Sequence, residues 1–200
     1  MLIGGFVMKH IFGFTVRDIA EIAILCAIAV VLDKFVKLSI GATGGSINIA
    51  MVPLFIIALR HGWFKGLIAG GLVYGLISCL LDGYGLITYP LEYLVAFGSV
   101  AITGLVAKWI HQFYLNKTPK GIILSFLCLI GSMLAAFIIR FFCGSIDSVL
   151  LYDYTWSAAF VYNAPYVFIS GAAVAVIMCL LLPSIVLLNR EYPTQYLKGE

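Results

Sequence analysis

"GIILSFLCLIGSMLAAFIIRFF", residues 121 to 142, runs for 22 residues with a single charged side chain, Arg140. About 20 mainly apolar residues in a helix cross the hydrocarbon core of a bilayer. The stretch therefore reads as a membrane-spanning helix, and the rest of the chain agrees with it. Of the 200 residues, 63% are hydrophobic and only 10% charged, with a mean hydropathy of +1.11. Soluble domains carry about 25% charged residues. The expected class is an all-α integral membrane protein. The period-two alternation of a membrane β-barrel is absent. Five further spans are expected, over 18–37, 46–59, 64–82, 91–109 and 159–188. The second is short and carries Pro53.

Lysine and arginine set the orientation. With six spans and both termini cytoplasmic, nine Lys and Arg lie inside and three, Lys34, Lys37 and Arg140, lie outside. That satisfies the positive-inside rule. A five-span chain with an external N-terminus, in which the short second segment does not cross, divides the charges equally well. The domain organisation reads as an N-terminal arm (1–17), one membrane domain (18–188) and a short polar tail (189–200). The opening "MLIGGFVMKHIFGF" is interrupted by Lys9 and His10 and reads as a retained cytoplasmic arm, not a cleaved signal. No stretch is left for a soluble domain, so any ATPase module must come from a partner. The net charge of +3 is spread over short loops and implies no nucleic-acid partner.

Enzyme signatures are sparse. There is no HExxH or GxSxG motif, and the three histidines fall in the arm or in loops. The five cysteines are irregularly spaced and read as free thiols. No metal ligand set and no cofactor are expected.

The chemistry gathers on one side. The outer side collects Asp33, Asp82, Asp147 and Asp153, with Glu92 just inside the fourth span, together with eight Tyr and Trp residues from Tyr84 to Tyr166. Aromatic belts at the interface enrich Tyr and Trp there, but they do not account for the acids. In "PLEYLVAFGSV" (90–100) Glu92 stands within an apolar run. A charge in a membrane helix costs about 2.5–3.5 kcal/mol on insertion scales and usually faces the bundle interior. Glu92 either snorkels or pairs with Arg140, or it meets a cationic or amino-bearing solute with Tyr93 beside it.

Four other stretches bear on the reading. In "FVYNAPYVFISG" (160–171), Asn163 both donates and accepts, and Pro165 frees a backbone carbonyl. In "GLIAGGLVYGLIS" (66–78), two GxxxG patterns favour close helix packing, with Tyr74 directed to a cavity. In "EIAILCAIA" (21–29), Ala23 and Ala27 form a small-residue patch, either for packing within the chain or for docking a membrane subunit. "SIGATGGSIN" (39–48) lacks the lysine of a phosphate-binding loop and reads as a mobile outer lid.

Taken together, "EIAILCAIAVVLD", "MVPLFIIALRHGWFKGLIAGGLVYGLIS", "LEYLVA" and "YNAPYV" resemble, in order and spacing, the thiamine-specific S components of energy-coupling factor (ECF) transporters. The resemblance spans most of residues 18 to 185. It implies six helices, a vitamin pocket near the outer face, and a complex with a transmembrane coupling protein and two cytoplasmic ATPases. It implies that Glu92 and Tyr93 match the family's Glu-Tyr pair and Asn163 its pocket asparagine. Tyr84 matches a pocket tyrosine, and Tyr74 stands where the family has Trp. Ala23 and Ala27 match the docking face for the coupling protein.

Some positions depart from the family pattern. Arg140 takes the place of a lysine, Gly144 of a histidine, Ala158 of a tyrosine, and Gly44 of an outer-loop tryptophan. Trp156, Tyr152 or Tyr154 could refill the aromatic cage. The expected function is a substrate-binding S component for thiamine, without chemistry of its own. The alternatives are a thiamine precursor or another small vitamin as ligand, a stand-alone facilitator, or a membrane-embedded enzyme acting on a lipid through Glu92 and Asp147.

Overall fold

The structure is a computed structural model and describes residues 13–40 and 45–197. The arm up to residue 12, with Lys9 and His10, lies outside the described residues. So do the tip of the proposed lid, including Gly44, and the last three residues.

Helix α1 (Val16–Phe35) starts at Thr15, whose hydroxyl accepts from the Asp18 N–H while the Asp18 carboxylate accepts from the Thr15 N–H. This capping box satisfies two N–H groups that the first turn leaves open. Ile22, Cys26 and Ala29 face the bundle. Charges stand at both ends of α1, with Asp18 and Glu21 at one and Asp33 and Lys34 at the other.

Next comes an element that the sequence reading did not contain. Residues expected to form a mobile loop include two antiparallel strands, β1 (Lys37–Ile40) and β2 (Gly45–Asn48), with Lys37 opposite Asn48. Asn48 pins the hairpin to the bundle. Its side-chain amide donates to Asp33 Oδ1 at 2.9 Å, and its backbone N–H donates to Ser170 Oγ at 3.1 Å. Polar side chains at its ends, more than any strand pattern, hold it in place.

Helix α2 (Met51–Asp82) looks continuous but is not straight. Gly62 has φ 83° and ψ −179°, a region open essentially to glycine alone. A Cβ built on Gly66 would lie 3.0 Å from the Cβ of Ala58. Eight residues along a straight helix are about 12 Å apart. The helix therefore folds back at Gly62 into two limbs. The first limb, 51–61, is only about 16 Å long and is almost wholly buried. The expected span 46–59 is corrected accordingly: it starts at Met51, because residues 46–48 belong to β2.

The second limb lies backbone against backbone on α3 (Tyr89–Leu115). A Cβ on Gly70 would sit 2.4 Å from the Phe97 carbonyl oxygen, and one on Gly71 2.8 Å from that of Leu94. This is the close approach that GxxxG spacing permits. Helices α4 (Pro119–Tyr152) and α5 (Trp156–Glu191) complete the chain, each started by a threonine cap, Thr118 and Thr155. Helices α2 to α5 are each long and apolar enough to cross a membrane. Their outward residues are apolar: Leu127 is 60% exposed and Leu180 74%, as a lipid-facing surface requires.

A polar cluster closes the end of the bundle near the start of α1. Lys65 meets Asp18 at 2.8 Å, Arg60 meets Glu21 at 2.8 Å, and His61 stands 3.2 Å from Asp18 and 3.1 Å from Glu21. Two sequence expectations change here. His61 and His111 are buried inside helices, not in loops; His111 hydrogen-bonds the Ala107 carbonyl. The tail is not a free polar segment either. Thr194 donates to the Arg60 carbonyl, Tyr196 donates to the Gly104 carbonyl at 3.0 Å, and the Tyr196 ring covers Gly62. The bend at Gly62 leaves carbonyls open as a helix end does, and Thr194 satisfies that of Arg60 while Tyr196 ties the tail to α3.

Candidate ligand pocket

At the opposite end the bundle opens into a cavity of about 200 Å³. It is built where α1 ends, from the β1–β2 hairpin, the outer end of the second limb of α2 and the start of α3, and between late α4 and early α5. The second limb of α2 and the start of α3 carry π-helical turns, 68–74 and 89–95. Such turns often mark functional positions, and the second carries Glu92 and Tyr93, both of which line the cavity.

Four carboxylates line the cavity: Asp33, Asp82, Glu92 and Asp147. Asp82 is already engaged. It lies 2.5 Å from Lys34 Nζ and accepts from the Tyr93 hydroxyl at 2.9 Å. Asp33 holds Lys34 at 3.1 Å and the Asn48 amide. Glu92 is different: among the described residues it takes no hydrogen bond and no ion pair, and its open side faces the cavity. Arg140, the partner expected for it, lines the same cavity but makes no ion pair with it. One Nη donates to Met51 Sδ at 3.2 Å, and the guanidinium lies 4.6 Å from the Phe97 ring centroid.

Asn163 is buried and fully engaged. Its amide donates to Ser148 Oγ at 3.1 Å and to the Ala159 carbonyl at 2.8 Å, while its Oδ1 accepts from the Tyr166 hydroxyl. Gly144 stands between Asn163 and Glu92. A Cβ there would lie 2.9 Å from Glu92 Oε2 and 2.9 Å from Asn163 Oδ1. The missing side chain is what lets these two groups converge.

The aromatic wall is made by Tyr84, Tyr93, Phe97, Tyr152, Tyr154, Tyr162 and Tyr166. Tyr84 is half-exposed at the rim, on a turn framed by Gly83 and Gly85 at φ 76° and 94°. Two expected wall residues stand elsewhere. Tyr74 is fully buried behind the wall, edge-on to Phe97 at 4.8 Å. Trp156 is 53% exposed and packs on Phe160 on the outside of the bundle. Asp153 ends α4 in a left-handed conformation and is not among the lining residues, although Tyr152 and Tyr154 on either side are. The sequence reading missed Lys37, Asn48, Thr88, Phe97 and Ser148 as lining residues; nothing in their local pattern distinguishes them from ordinary packing or turn residues. Ala23 and Ala27 lie on the outer face of α1, beside the exposed Ile24 and Ile28.

An acid-rich, aromatic-walled pocket at one end of a lipid-facing helix bundle defines a multi-pass membrane protein with a small-solute site. Comparison with known proteins carries this further. Residues 19–189 match the family described as thiamine transporter protein. The thiamine transporter ThiT of Bacillus subtilis (strain 168) is 30% identical over 173 residues, covering 80% of this chain and 88% of that one. A solved structure of ThiT from Listeria monocytogenes superposes with a TM-score of 0.72 at 24% identity, over 85% of this chain and 97% of that chain. The chain belongs to the thiamine transporter protein family, and it is a multi-pass protein of the cell membrane.

Proposed function

We propose that the chain is the substrate-binding S component of an ECF-type importer and that its solute is thiamine. One observation carries this reading: Glu92 faces a cavity walled by tyrosines and makes no hydrogen bond and no ion pair among the described residues. Thiamine answers both features. Its thiazolium is a permanent cation, and its aminopyrimidine donates N–H to a carboxylate. Aromatic faces attract such cations, by about 2 kcal/mol or more when desolvated. In this reading Tyr93 and Asn163 fix orientation. Tyr84 stacks at the rim, Tyr74 backs Phe97, and Arg140 shapes the floor. The names of the relatives are those of transporters, which argues against an enzyme.

The topology proposed is six crossings with both termini cytoplasmic. The fold-back at Gly62 supports it, since it makes α2 count twice. Charge supports it too: Arg17, Arg60, Lys65, Lys108, Lys117, Lys120 and Arg190 belong to the end opposite the cavity. The single membrane domain over 18–188 goes with this topology. The partners proposed are a transmembrane coupling subunit, meeting Ala23 and Ala27, and two cytoplasmic ATPases.

Isothermal titration of the purified protein in detergent tests the pocket. Thiamine should bind, and Glu92→Gln should lose at least about ten-fold in affinity, because a hydrogen bond to a charged group contributes about 1.5–3 kcal/mol. Unchanged affinity would remove Glu92 from the site.

A further inference from the structure

We infer that Asp147 is a second ligand-facing acid, one that reads the positive charge of the solute while Glu92 reads its N–H donors. The inference rests on the thiamine reading of the cavity. Asp147 follows Gly144 by three residues on α4, so both lie on one helix face. It is only 5% exposed and lines the cavity, yet among the described residues it makes no hydrogen bond and no ion pair. Buried carboxylates are ordinarily paired, so an unpaired one facing a cavity calls for a cation from outside the chain.

The other charges in the cavity leave it that role. Asp33 and Asp82 are held by Lys34, Asn48 and Tyr93. The two cations of the lining pair with neither remaining acid: Arg140 bonds Met51 and lies over the Phe97 ring, and Lys37 makes no ion pair among the described residues. Glu92 and Asp147 remain as the two carboxylates of the lining that make no ion pair among the described residues, and like charges facing one cavity repel. A cationic ligand offsets that repulsion; a neutral one does not.

The surroundings divide the work between them. Glu92 Oε2 lies over Gly144 beside Asn163 Oδ1, which already accepts from Tyr166, so Glu92 supplies the free acceptor for an amino group. Asp147 lies further along α4 from Gly144, toward Tyr152 and the rim where Tyr84 is exposed. A carboxylate beside aromatic faces suits a delocalised ring cation. Asp147 is thus a specificity-determining residue, and the pocket should prefer thiamine to an uncharged compound of the same shape.

The test titrates two probes into purified protein: thiamine, and its isosteric analogue in which an uncharged thiophene replaces the thiazolium. Wild type should favour thiamine by at least about ten-fold, the scale expected of a contact to a buried charge. Asp147→Asn should lower thiamine affinity by a similar factor and lower analogue affinity far less, so that the preference collapses. Asp147→Asn binding thiamine as wild type does, or losing both probes equally, would overturn the inference. If the Asn variant aggregates on gel filtration, Asp147→Ser is measured in the same way. The wild-type comparison needs no variant: equal affinity for the two probes also overturns it. Wild type binding neither probe would overturn the thiamine reading itself, and this inference with it. Thiamine binding without charge preference removes Asp147 alone.

Discussion

Gly144 is the residue on which the pocket's geometry turns. Mid-helix glycine is ordinarily a cost, destabilising by about 0.5–1 kcal/mol relative to alanine. Here it keeps open the point where Glu92 and Asn163 meet. Gly144→Ala should therefore leave thermal stability in detergent unchanged or slightly higher while lowering thiamine affinity by about ten-fold, the usual scale of one misplaced charged contact. Affinity equal to wild type would mean that the two groups separate freely to admit a methyl group. The residue scale also shows how far local reading reaches. A carboxylate in "PLEYLVAFGSV" is conspicuous because its burial is costly, whatever the fold. Tyr74 and Trp156 are not legible in that way: a ring is equally at home inside, outside or behind a pocket wall, and only helix rotation decides. Tyr74 ended behind Phe97, and Trp156 outside on Phe160.

At the scale of elements the corner of α2 matters most. The break between 59 and 64 was visible in the sequence as a cluster of Arg60, His61 and Gly62 between apolar runs. What the cluster does was not visible. Gly62 adopts a conformation closed to other residues, and its Cα faces the Tyr196 ring, where a Cβ would come within 2.6 Å. Gly62→Ala should cost about 1–3 kcal/mol from backbone strain, plus the displacement of that ring. Adding Tyr196→Ala should recover the steric part but not the strain. Chemical unfolding of the single and double variants in mixed micelles checks this; a Gly62→Ala protein as stable as wild type would refute the corner. The β1–β2 hairpin was illegible because its short strands lack a clean alternation. It is held by Asn48 reaching Asp33 and Ser170, contacts far apart in sequence.

For the whole molecule, charge and apolarity divide along the bundle axis. One end carries the ion-paired cluster of Asp18, Glu21, Arg60 and Lys65; the other carries the acid-lined cavity. The outer face of α1 combines small Ala23 and Ala27 with exposed isoleucines, suited to close approach by another membrane helix. Ala23→Trp combined with Ala27→Trp should leave thiamine binding intact and abolish uptake into vesicles that contain the coupling subunit and ATPases. Uptake at the wild-type rate would remove α1 as the docking face.

The sequence by itself determined the membrane class, most of the spans and the end of the bundle where acids and aromatics collect. These follow from transfer free energies, which depend on composition and length and need no knowledge of neighbours. Only the tertiary structure decided which of those acids remain unpaired. Asp82 is paired with Lys34, 48 residues away, and Asp33 is held by that same Lys34 and by Asn48, whereas Glu92 and Asp147 make no ion pair among the described residues. The physical reason is that Coulomb energy falls with distance and rises as water is excluded, and both quantities exist only once the helices are packed.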